Sequence, residues 1–321
     1  MSIKLMGGIL SCCIAIFANP FLLDIPESKD ESDAYILYLQ ENMRKKDIRD
    51  VLDLIYPKTA FFGKDLKPFD DFYRRSMRGL KQTLIDPDRE LYPKKEHIVL
   101  NGGGDNCIVL SCPLNHVYPE LLTSLIRALE DLGFKGGLYF RMGGIANPTG
   151  KEVRYVGVPY SFKIFMMMEA FDLGYKNVLW LDSSVFPLKD LSPLFESIQE
   201  NGSLVCFKRF RKNSILPQTQ RILREKTGYE PSFFSHVSMQ VFGLSSSCPW
   251  KEAFIQDYYE MVELGTPFFS CYPEEHVISA LIYKHAAILK RTDRVILPSK
   301  EDNFDFVEAR KKGYYFFLRR H

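Results

Sequence analysis

The stretch from residue 98 to residue 182 alternates short apolar runs with helical patterns, and this alternation limits the folds open to the chain. Cys107-Ile-Val-Leu110 is a β-branched run typical of a strand. The pattern from Tyr118 to Leu132 predicts a helix that Gly133 ends, and Gly137 to Met142 predicts another strand. Elements in this order predict an α/β domain whose mostly parallel sheet carries helices on both faces.

A further helix and strand lead to Asp182. Residues 161–172 form an unusually apolar helical pattern, and Asn177-Val-Leu-Trp-Leu181 has the composition of a buried strand. The first polar residue after such a strand emerges at the rim of the sheet, where ligands of α/β sheets bind. A carboxylate there can hold a divalent cation that bridges two phosphates, and Ser183 and Ser184 add hydroxyls for a ribose or a phosphate. Simple turn capping explains the same residues equally well.

Asn101-Gly-Gly-Gly-Asp105 lies between the first two predicted strands. Glycines between a strand and a helix can cradle a phosphate. Because a second strand is predicted to follow here, a hairpin or a strand crossover turn is favoured over a phosphate loop. The alternative, an α/β protein with another nucleotide ligand, requires a helix directly after Gly104.

Composition excludes several classes of protein. The 42 basic and 40 acidic residues leave a formal net charge of +2, so no strong field attracts nucleic acid, and no nucleic-acid partner is predicted. The seven cysteines are scattered without a CxxC pair, which argues against a structural zinc site. Their odd number argues against a disulfide framework, so they are interpreted as buried thiols.

The N-terminal third is predicted to lie outside the main domain. Within residues 1–18, the apolar run from Leu5 to Ala18 has the length of a signal-peptide core and is short for a bilayer span. It predicts a signal peptide or membrane anchor, and therefore a secreted or envelope-associated protein. The alternative is a packed N-terminal helix on a cytoplasmic protein. Residues 19–96 predict a helical extension, and residues 97–321 are assigned to the α/β domain.

Three segments around the apolar strand resemble one known family. They are Tyr160-Ser-Phe-Lys163, Gly174-Tyr-Lys-Asn-Val-Leu-Trp-Leu-Asp182 and Pro187-Leu-Lys-Asp-Leu-Ser-Pro-Leu-Phe195. Together they are similar to the central region of GT-A-fold nucleotide-sugar glycosyltransferases, whose DXD motif binds the donor diphosphate through a metal. The resemblance extends over about residues 105–290 and implies a Rossmann-like (GT-A) sheet.

The resemblance also implies roles for individual residues. Asp182 matches the first aspartate of the motif, and Ser184 stands in place of the second, so the motif is degenerate. Lys163 matches a helix lysine that lies near the donor. Manganese or magnesium is the implied cofactor, held by Asp182 together with a later histidine, for which His236, His276 and His285 are the candidates. His236 is favoured for that role because residues 235–244 resemble the strand that lines the acceptor side.

Two charged groups farther along the chain complete the predicted site. Lys208-Arg-Phe-Arg-Lys212 follows a predicted strand and could neutralise a diphosphate, although a solvated basic loop explains it equally well. Glu274 and Glu275 open a predicted helix, where their charge suits the helix dipole. The resemblance implies that they face the sugar or acceptor, as a general base in an inverting reaction or as a sugar-hydroxyl ligand in a retaining one.

The sequence therefore predicts a glycosyltransferase that moves a sugar from a UDP- or GDP-sugar to a hydroxyl of a glycan, lipid or protein acceptor. The predicted donor-binding residues are Lys163, Asp182, Ser183, Ser184 and Lys208, and the predicted catalytic residues are Glu274 and Glu275. Since a serine at position 184 is a poor metal ligand, a non-catalytic nucleotide- or glycan-binding protein of the same fold is the alternative.

Overall fold

The computed structural model of the protein describes residues 94–112, 118–142, 158, 160–208, 214–230, 236–268, 270–286, 295–297 and 306–318. The predicted signal segment, residues 1–18, lies outside these ranges, as do nearly all of the predicted helical extension and basic residues 209–212. The predictions made for them stay predictions. Among the helices that the structure describes, none combines the length and the apolarity needed to cross a bilayer.

The described ranges form strands and helices that are numbered here in chain order. The strands are β1 (Lys94–Leu100), β2 (Asn106–Cys112), β3 (Gly136–Met142), β4 (Asn177–Leu181), β5 (Val185–Pro187), β6 (Ser203–Lys208), β7 (His236–Ser245), β8 (Ile296–Leu297) and β9 (Phe316–Leu318). The helices are α1 (Tyr118–Asp131), α2 (Phe162–Asp172), α3 (Ser192–Asn201), α4 (Pro217–Thr227), α5 (Lys251–Leu264), α6 (Pro273–His285) and α7 (Phe306–Lys311).

The central sheet has six strands in the order β1-β3-β2-β4-β7-β6. β2 pairs in parallel with both β3 and β4. β7 runs antiparallel to β4 and to β6, and β1 runs antiparallel to β3. Four strands, β2, β3, β4 and β6, therefore run in one direction, which confirms the predicted α/β fold with a mostly parallel central sheet.

The turn from residue 101 to residue 105 carries the chain across β3. β1 and β2 are not neighbours, because β3 lies between them in the sheet. The crossover turn is thus confirmed, and the hairpin alternative is wrong. Gly102 and Gly103 have φ angles of 88° and 78°, which glycine adopts without the steric penalty of a Cβ atom. The strand that follows Gly104 also contradicts the phosphate-loop alternative, which required a helix there.

Helices cover both faces of the sheet, and β4 shows how the sequence arranges this. Val178 and Trp180 of β4 belong to the core on the face covered by α2, α5 and α6. Leu179 and Leu181 belong to the core on the opposite face, under α1 and α3. Because successive strand residues point to opposite faces, an apolar run of this kind is buried on both sides. Met166 of α2 is fully buried in the first core.

The five cysteines in the described ranges are free thiols, and all of them are buried, as predicted. They are Cys107, Cys112, Cys206, Cys248 and Cys271. Burial raises the pKa of the Cys107 thiol to about 12, although a backbone hydrogen bond at Tyr139 acts in the opposite direction. A thiol with so high a pKa is a poor nucleophile, so Cys107 serves as a small apolar residue.

A second, three-stranded sheet has the order β5-β9-β8 and lies next to the end of β4. β5 begins at Val185, three residues after Asp182, and pairs antiparallel with β9. β9 lies within the basic segment from residue 310 to residue 321. The backbone N–H of Val185 donates to the carbonyl of Asp182 over 2.8 Å, so the small sheet fixes the chain directly after the β4 end.

Candidate functional site

A pocket of about 280 Å³ opens at the carboxyl ends of β2, β4 and β6. Its lining contains all seven residues predicted to bind donor or to act in catalysis: Lys163, Asp182, Ser183, Ser184, Lys208, Glu274 and Glu275. The sequence places these residues on four separate segments, so their assembly depends on the fold. The volume is close to the lower end of the range typical of small-molecule pockets, about 300 Å³.

Strand direction explains why these residues meet. β4 and β6 run the same way, so Asp182, directly after β4, and Lys208, at the end of β6, emerge at one edge of the sheet. Two helices begin at that edge. Lys163 lies in the first turn of α2, and Glu274 and Glu275 lie in the first turn of α6.

Lys163 connects three elements of the pocket. Its Nζ lies 2.9 Å from Asp182 Oδ1 and 2.9 Å from Glu274 Oε1. It also donates to the carbonyl oxygen of Met239 in β7 over 3.2 Å. An ammonium group has three protons, and these three acceptors account for all of them. Lys163 is therefore placed to orient the two carboxylates, and its effect on a ligand would be transmitted through them.

The protonation state of Lys163 follows from the same contacts. Burial alone lowers its pKa, but the negative charges of Asp182 and Glu274 outweigh burial and raise the pKa well above the ordinary lysine value. The ammonium form therefore persists throughout the physiological pH range. The buried side chain of Glu274 gains a permanent counter-charge from it.

Asp182 is held from several sides and still faces the pocket. Its Oδ1 accepts hydrogen bonds from Lys163 Nζ and from the indole Nε1 of Trp180, each over 2.9 Å. Its backbone N–H donates to the carbonyl oxygen of Gln240 in β7 over 2.9 Å. The side chain keeps 29% of its surface exposed. The carboxylate is thus oriented before any ligand arrives, which reduces the entropic cost of binding.

The two serines after Asp182 differ in their contacts. The hydroxyl of Ser183 donates to the carbonyl oxygen of Ser111 in β2, so it ties the loop after β4 to the neighbouring strand. Its oxygen retains lone pairs for a ligand. Ser184 lines the pocket beside it. The pair therefore supplies neutral polar groups next to the single carboxylate of Asp182.

Glu275 and Lys208 form the second ion pair of the pocket. Glu275 Oε2 contacts Lys208 Nζ and lies 3.3 Å from His236 Nε2, and its Oε1 accepts the backbone N–H of Met239 over 3.2 Å. Burial raises the pKa of Glu275, but the hydrogen bond to His236 and the charge of Lys208 lower it by more than that. The resulting pKa is about 2, below the ordinary value of 4.5. A carboxylate with so low a pKa is a weak proton acceptor near neutral pH.

Lys208 is the more exposed of the two pocket lysines. Its side chain keeps 34% of its surface accessible, against 5% for Lys163. Its Nζ lies 4.3 Å from the centroid of the Tyr272 ring, within the range of a cation–π interaction. The ammonium of Lys208 is therefore anchored by a carboxylate and an aromatic ring while remaining accessible from the pocket.

The metal site implied by the resemblance needs Asp182 and His236 to act together. His236 is buried, its Nε2 lies against Glu275, and its ring centroid is 5.1 Å from that of His276. Asp182 Oδ1 is occupied by an ammonium and an indole N–H, and Ser184 is uncharged. In the described ranges, no group of three or more His, Cys, Asp or Glu side chains is arranged to hold a metal ion. These side chains do not fit the coordination sphere of a divalent cation.

Sequence reasoning missed several pocket residues. Aromatic side chains of Tyr118, Tyr160 and Tyr272 line the pocket, and so does the amide of Gln240. Gln240 carries a local signal, because it is a long polar residue inside the apolar strand β7. The tyrosines carry none, because a tyrosine at the start of a helix is equally common in a packed core.

Buried His276 predicts an acid sensitivity that ordinary surface histidines lack. Its Nε2 lies 3.0 Å from Ser214 Oγ, and burial, with a smaller contribution from His236, lowers its pKa from 6.5 to about 3. The unfolded chain takes up this proton below its pKa of about 6.5, whereas the folded chain stays neutral down to about 3. We therefore expect this histidine to reduce stability by about 2 kcal/mol between pH 7 and pH 5.

Urea denaturation at pH 7 and pH 5 measures this effect. His276→Gln should lack this part of the pH dependence, whatever its stability at pH 7. His97→Gln, at an exposed histidine, serves as the control and should retain it. An identical loss of stability between the two pH values in wild type and His276→Gln would contradict the assignment.

Comparison with known proteins gives matches among solved structures alone. No protein-family model matches the chain, and no curated protein sequence matches it. A glycosyltransferase involved in glycosylation of the major capsid of PBCV-1 is similar at 14% identity, covering 66% of this chain and 91% of that chain, with a TM-score of 0.40.

Two other glycosyltransferase structures match over similar lengths. The bifunctional glycosyltransferase WbbM shares 12% identity, covering 67% of this chain and 45% of that chain, with a TM-score of 0.42. The galactosyltransferase LgtC, solved in complex with donor and acceptor sugar analogues, shares 15% identity, covering 60% and 76%, with a TM-score of 0.38. All three of these proteins are named as glycosyltransferases or a galactosyltransferase.

Proposed function

We propose that this protein transfers a sugar from a nucleotide-diphosphate donor to an acceptor hydroxyl. The observation that most supports the proposal is the assembly of Lys163, Asp182 and Glu274, together with the Lys208–Glu275 pair, in one pocket at the strand ends. Carboxyl ends of α/β strands are the usual place for nucleotide ligands. A fixed carboxylate beside an accessible ammonium suits a ligand that carries both hydroxyl and phosphate groups.

Each ion pair has a proposed role. Asp182 accepts hydrogen bonds from ribose or sugar hydroxyls, and Ser183 and Ser184 add neutral contacts. Lys208 faces the diphosphate. During transfer the acceptor oxygen bonds to the anomeric carbon and gives up its proton, and the bond between that carbon and the diphosphate oxygen breaks. Negative charge therefore grows on the departing diphosphate. A preorganised ammonium at that point lowers the barrier, and such electrostatic stabilisation is commonly the largest catalytic contribution.

The two predicted catalytic glutamates have different proposed roles. Glu275 orients Lys208, because its low pKa and its three protein donors make it a poor general base. Glu274 shares the Lys163 ammonium with Asp182, because Nζ lies 2.9 Å from an oxygen of each carboxylate. We therefore propose that Glu274 is the glutamate that faces the sugar, while Glu275 is a positioning residue.

Nucleotide binding by wild type and Asp182→Ala tests the proposal. UDP, GDP and their sugars are titrated by calorimetry, with thermal shift as a second readout. We expect one nucleotide series to bind, and Asp182→Ala to weaken that binding by about tenfold to hundredfold, as for loss of a hydrogen bond to a charged group. Asp131→Ala, which removes an exposed aspartate at the end of α1, is the matched control and should bind normally.

Two outcomes decide against the proposal. If no nucleotide binds wild type, the transferase function is wrong. If a nucleotide binds wild type and Asp182→Ala equally, Asp182 has been given the wrong role. Release of free nucleoside diphosphate from the donor distinguishes an enzyme from the non-catalytic alternative, because a protein that only binds the donor leaves it intact.

Manganese is expected to change nucleotide affinity by less than about tenfold, or about 1.4 kcal/mol. The reason is that Asp182 has one oxygen occupied and Ser184 brings no charge, so the described side chains offer a weak metal site. Calorimetric titrations in EDTA and in excess manganese measure the difference. Binding that disappears in EDTA and returns with manganese would contradict this expectation and support the metal that the resemblance implies.

A further inference from the structure

Tyr160 has a backbone conformation that is unusual for its residue type. Among the non-glycine residues in the described ranges, Asn101 and Tyr160 have positive φ angles, of 47° and 62°. Asn101 lies in the crossover turn, where asparagine is well tolerated, and its side chain donates to the Phe134 carbonyl. For a bulky aromatic residue the left-handed region is strained.

The turn before α2 does not by itself require a tyrosine. The N–H of Lys163 donates to the carbonyl oxygen of Tyr160 over 3.2 Å, so residue 160 forms part of the first turn of this helix. Glycine adopts a positive φ without strain and would serve this turn better. Strained residues persist where the surrounding structure holds them, and they concentrate at ligand-binding sites. The tyrosine side chain is therefore expected to have a use that offsets its backbone cost.

The position of the ring indicates that use. The Tyr160 ring lines the pocket, and its centroid lies 5.1 Å from Lys163 Nζ and 6.2 Å from the centroid of Phe162. Lys163 Nζ is also the group that holds Asp182 Oδ1. The aromatic face of Tyr160 and the carboxylate of Asp182 thus approach the same ammonium group, which places the ring beside the proposed donor contact.

We infer that Tyr160 is a stacking residue for a ring of the nucleotide-sugar donor, held in a strained conformation for that purpose. The inference rests on the proposed function, because it assigns the ring to that donor. Aromatic side chains stack on nucleobases irrespective of base identity, and their apolar faces also pack on the C–H face of a pyranose. Both rings belong to the same donor, so the experiment must separate them.

Three variants at this position test the inference: Tyr160→Gly, Tyr160→Ala and Tyr160→Phe. We expect Tyr160→Gly and Tyr160→Ala to bind donor at least tenfold more weakly than wild type, and Tyr160→Phe to bind within about twofold, because it keeps the ring. The quenching of Trp180 fluorescence measures binding, since this residue lines the pocket. Trp250→Phe in every background removes the other tryptophan.

Two ligands identify the stacked ring. If Tyr160→Gly weakens binding of the nucleoside diphosphate as much as binding of the nucleotide sugar, the stacked ring is the nucleobase. If the variant weakens binding of the nucleotide sugar alone, the stacked ring is the pyranose. Either result supports a stacking role. Unchanged affinity of Tyr160→Gly for both ligands overturns it, and so does a Tyr160→Phe variant as weak as the glycine variant.

Thermal unfolding tests the strain argument separately from donor binding. Glycine relieves the positive φ and alanine does not, so Tyr160→Gly should melt at a higher temperature than Tyr160→Ala while binding donor no better. A glycine variant that melts below the alanine variant overturns the strain argument. Failure of wild type to bind any nucleotide is a separate result, which rejects the proposed function.

Discussion

Replacing Lys163 with methionine is expected to destabilise the fold by about 3–5 kcal/mol. Methionine fills a similar volume, so the main effect is electrostatic. The change removes the counter-charge from Glu274, whose side chain is 6% exposed, and from Asp182 beside it. Two carboxylates then lie close together without a cation, and breaking a buried ion pair from one side costs more than the pair contributes. Urea denaturation at pH 7 measures the loss.

Two further variants make this result specific. Lys163→Met combined with Glu274→Gln removes the stranded buried charge, so the double variant should recover more than about 1 kcal/mol relative to the sum of the single changes. Lys176→Met breaks the surface ion pair between Lys176 and Asp105, whose side chains are 66% and 60% exposed. This change should cost less than about 1 kcal/mol of stability. Equal costs for Lys163→Met and Lys176→Met would contradict the assignment.

The elements that position the site were predictable from local patterns. The apolar run that forms β4 and the apolar helix α2 have periodicities that specify their type, and the strand end at Leu181 places Asp182 at the rim. Parallel strand direction then follows from the helices between the strands, because a parallel connection needs a crossover. Asp182 at the carboxyl edge of the sheet is thus a consequence of sequence pattern together with chain topology.

The contacts within the site were not predictable in this way. Nothing in the local sequence of Lys163 indicates that its three protons are taken by Asp182, Glu274 and the carbonyl of Met239, because these partners come from three other elements. The strained φ of Tyr160 is equally invisible, since tyrosine carries no preference for that conformation. Local patterns specify elements, whereas pairing between distant side chains is decided by packing.

The same limit applies to the sheet order. The sequence indicated that β1 and β2 are consecutive strands, and both a hairpin and a crossover were compatible with the glycine turn between them. β3 pairs with both strands. Its Leu138 lies opposite Ile98 of β1 on one edge and opposite Ile108 of β2 on the other edge. That arrangement depends on β3 having a paired strand on each side, and the sequence of residues 101–105 contains no signal for this pairing.

Replacing Lys208 with methionine is expected to reduce the transfer rate by about a hundredfold to a thousandfold, as removal of one preorganised donor to a developing charge commonly does. The ammonium is 34% exposed at the pocket, and Lys163, the other pocket lysine, has its protons committed to protein acceptors. The fold should also lose some stability, because the buried Glu275 loses this ammonium, although it keeps His236 Nε2 and the Met239 N–H. Steady-state rates with saturating donor, together with melting temperatures, measure both effects.

Lys208→Arg provides the matched control, since it keeps the positive charge and the contact with the Tyr272 ring. It should retain much more activity than Lys208→Met, although its different geometry prevents full recovery. Lys189→Met, which removes a lysine that packs on Tyr315 away from the pocket, should leave the rate unchanged. If Lys208→Met turns over donor as fast as wild type, the departing diphosphate is stabilised elsewhere, and the accessible ion pair of Lys208 with Glu275 has a structural role instead.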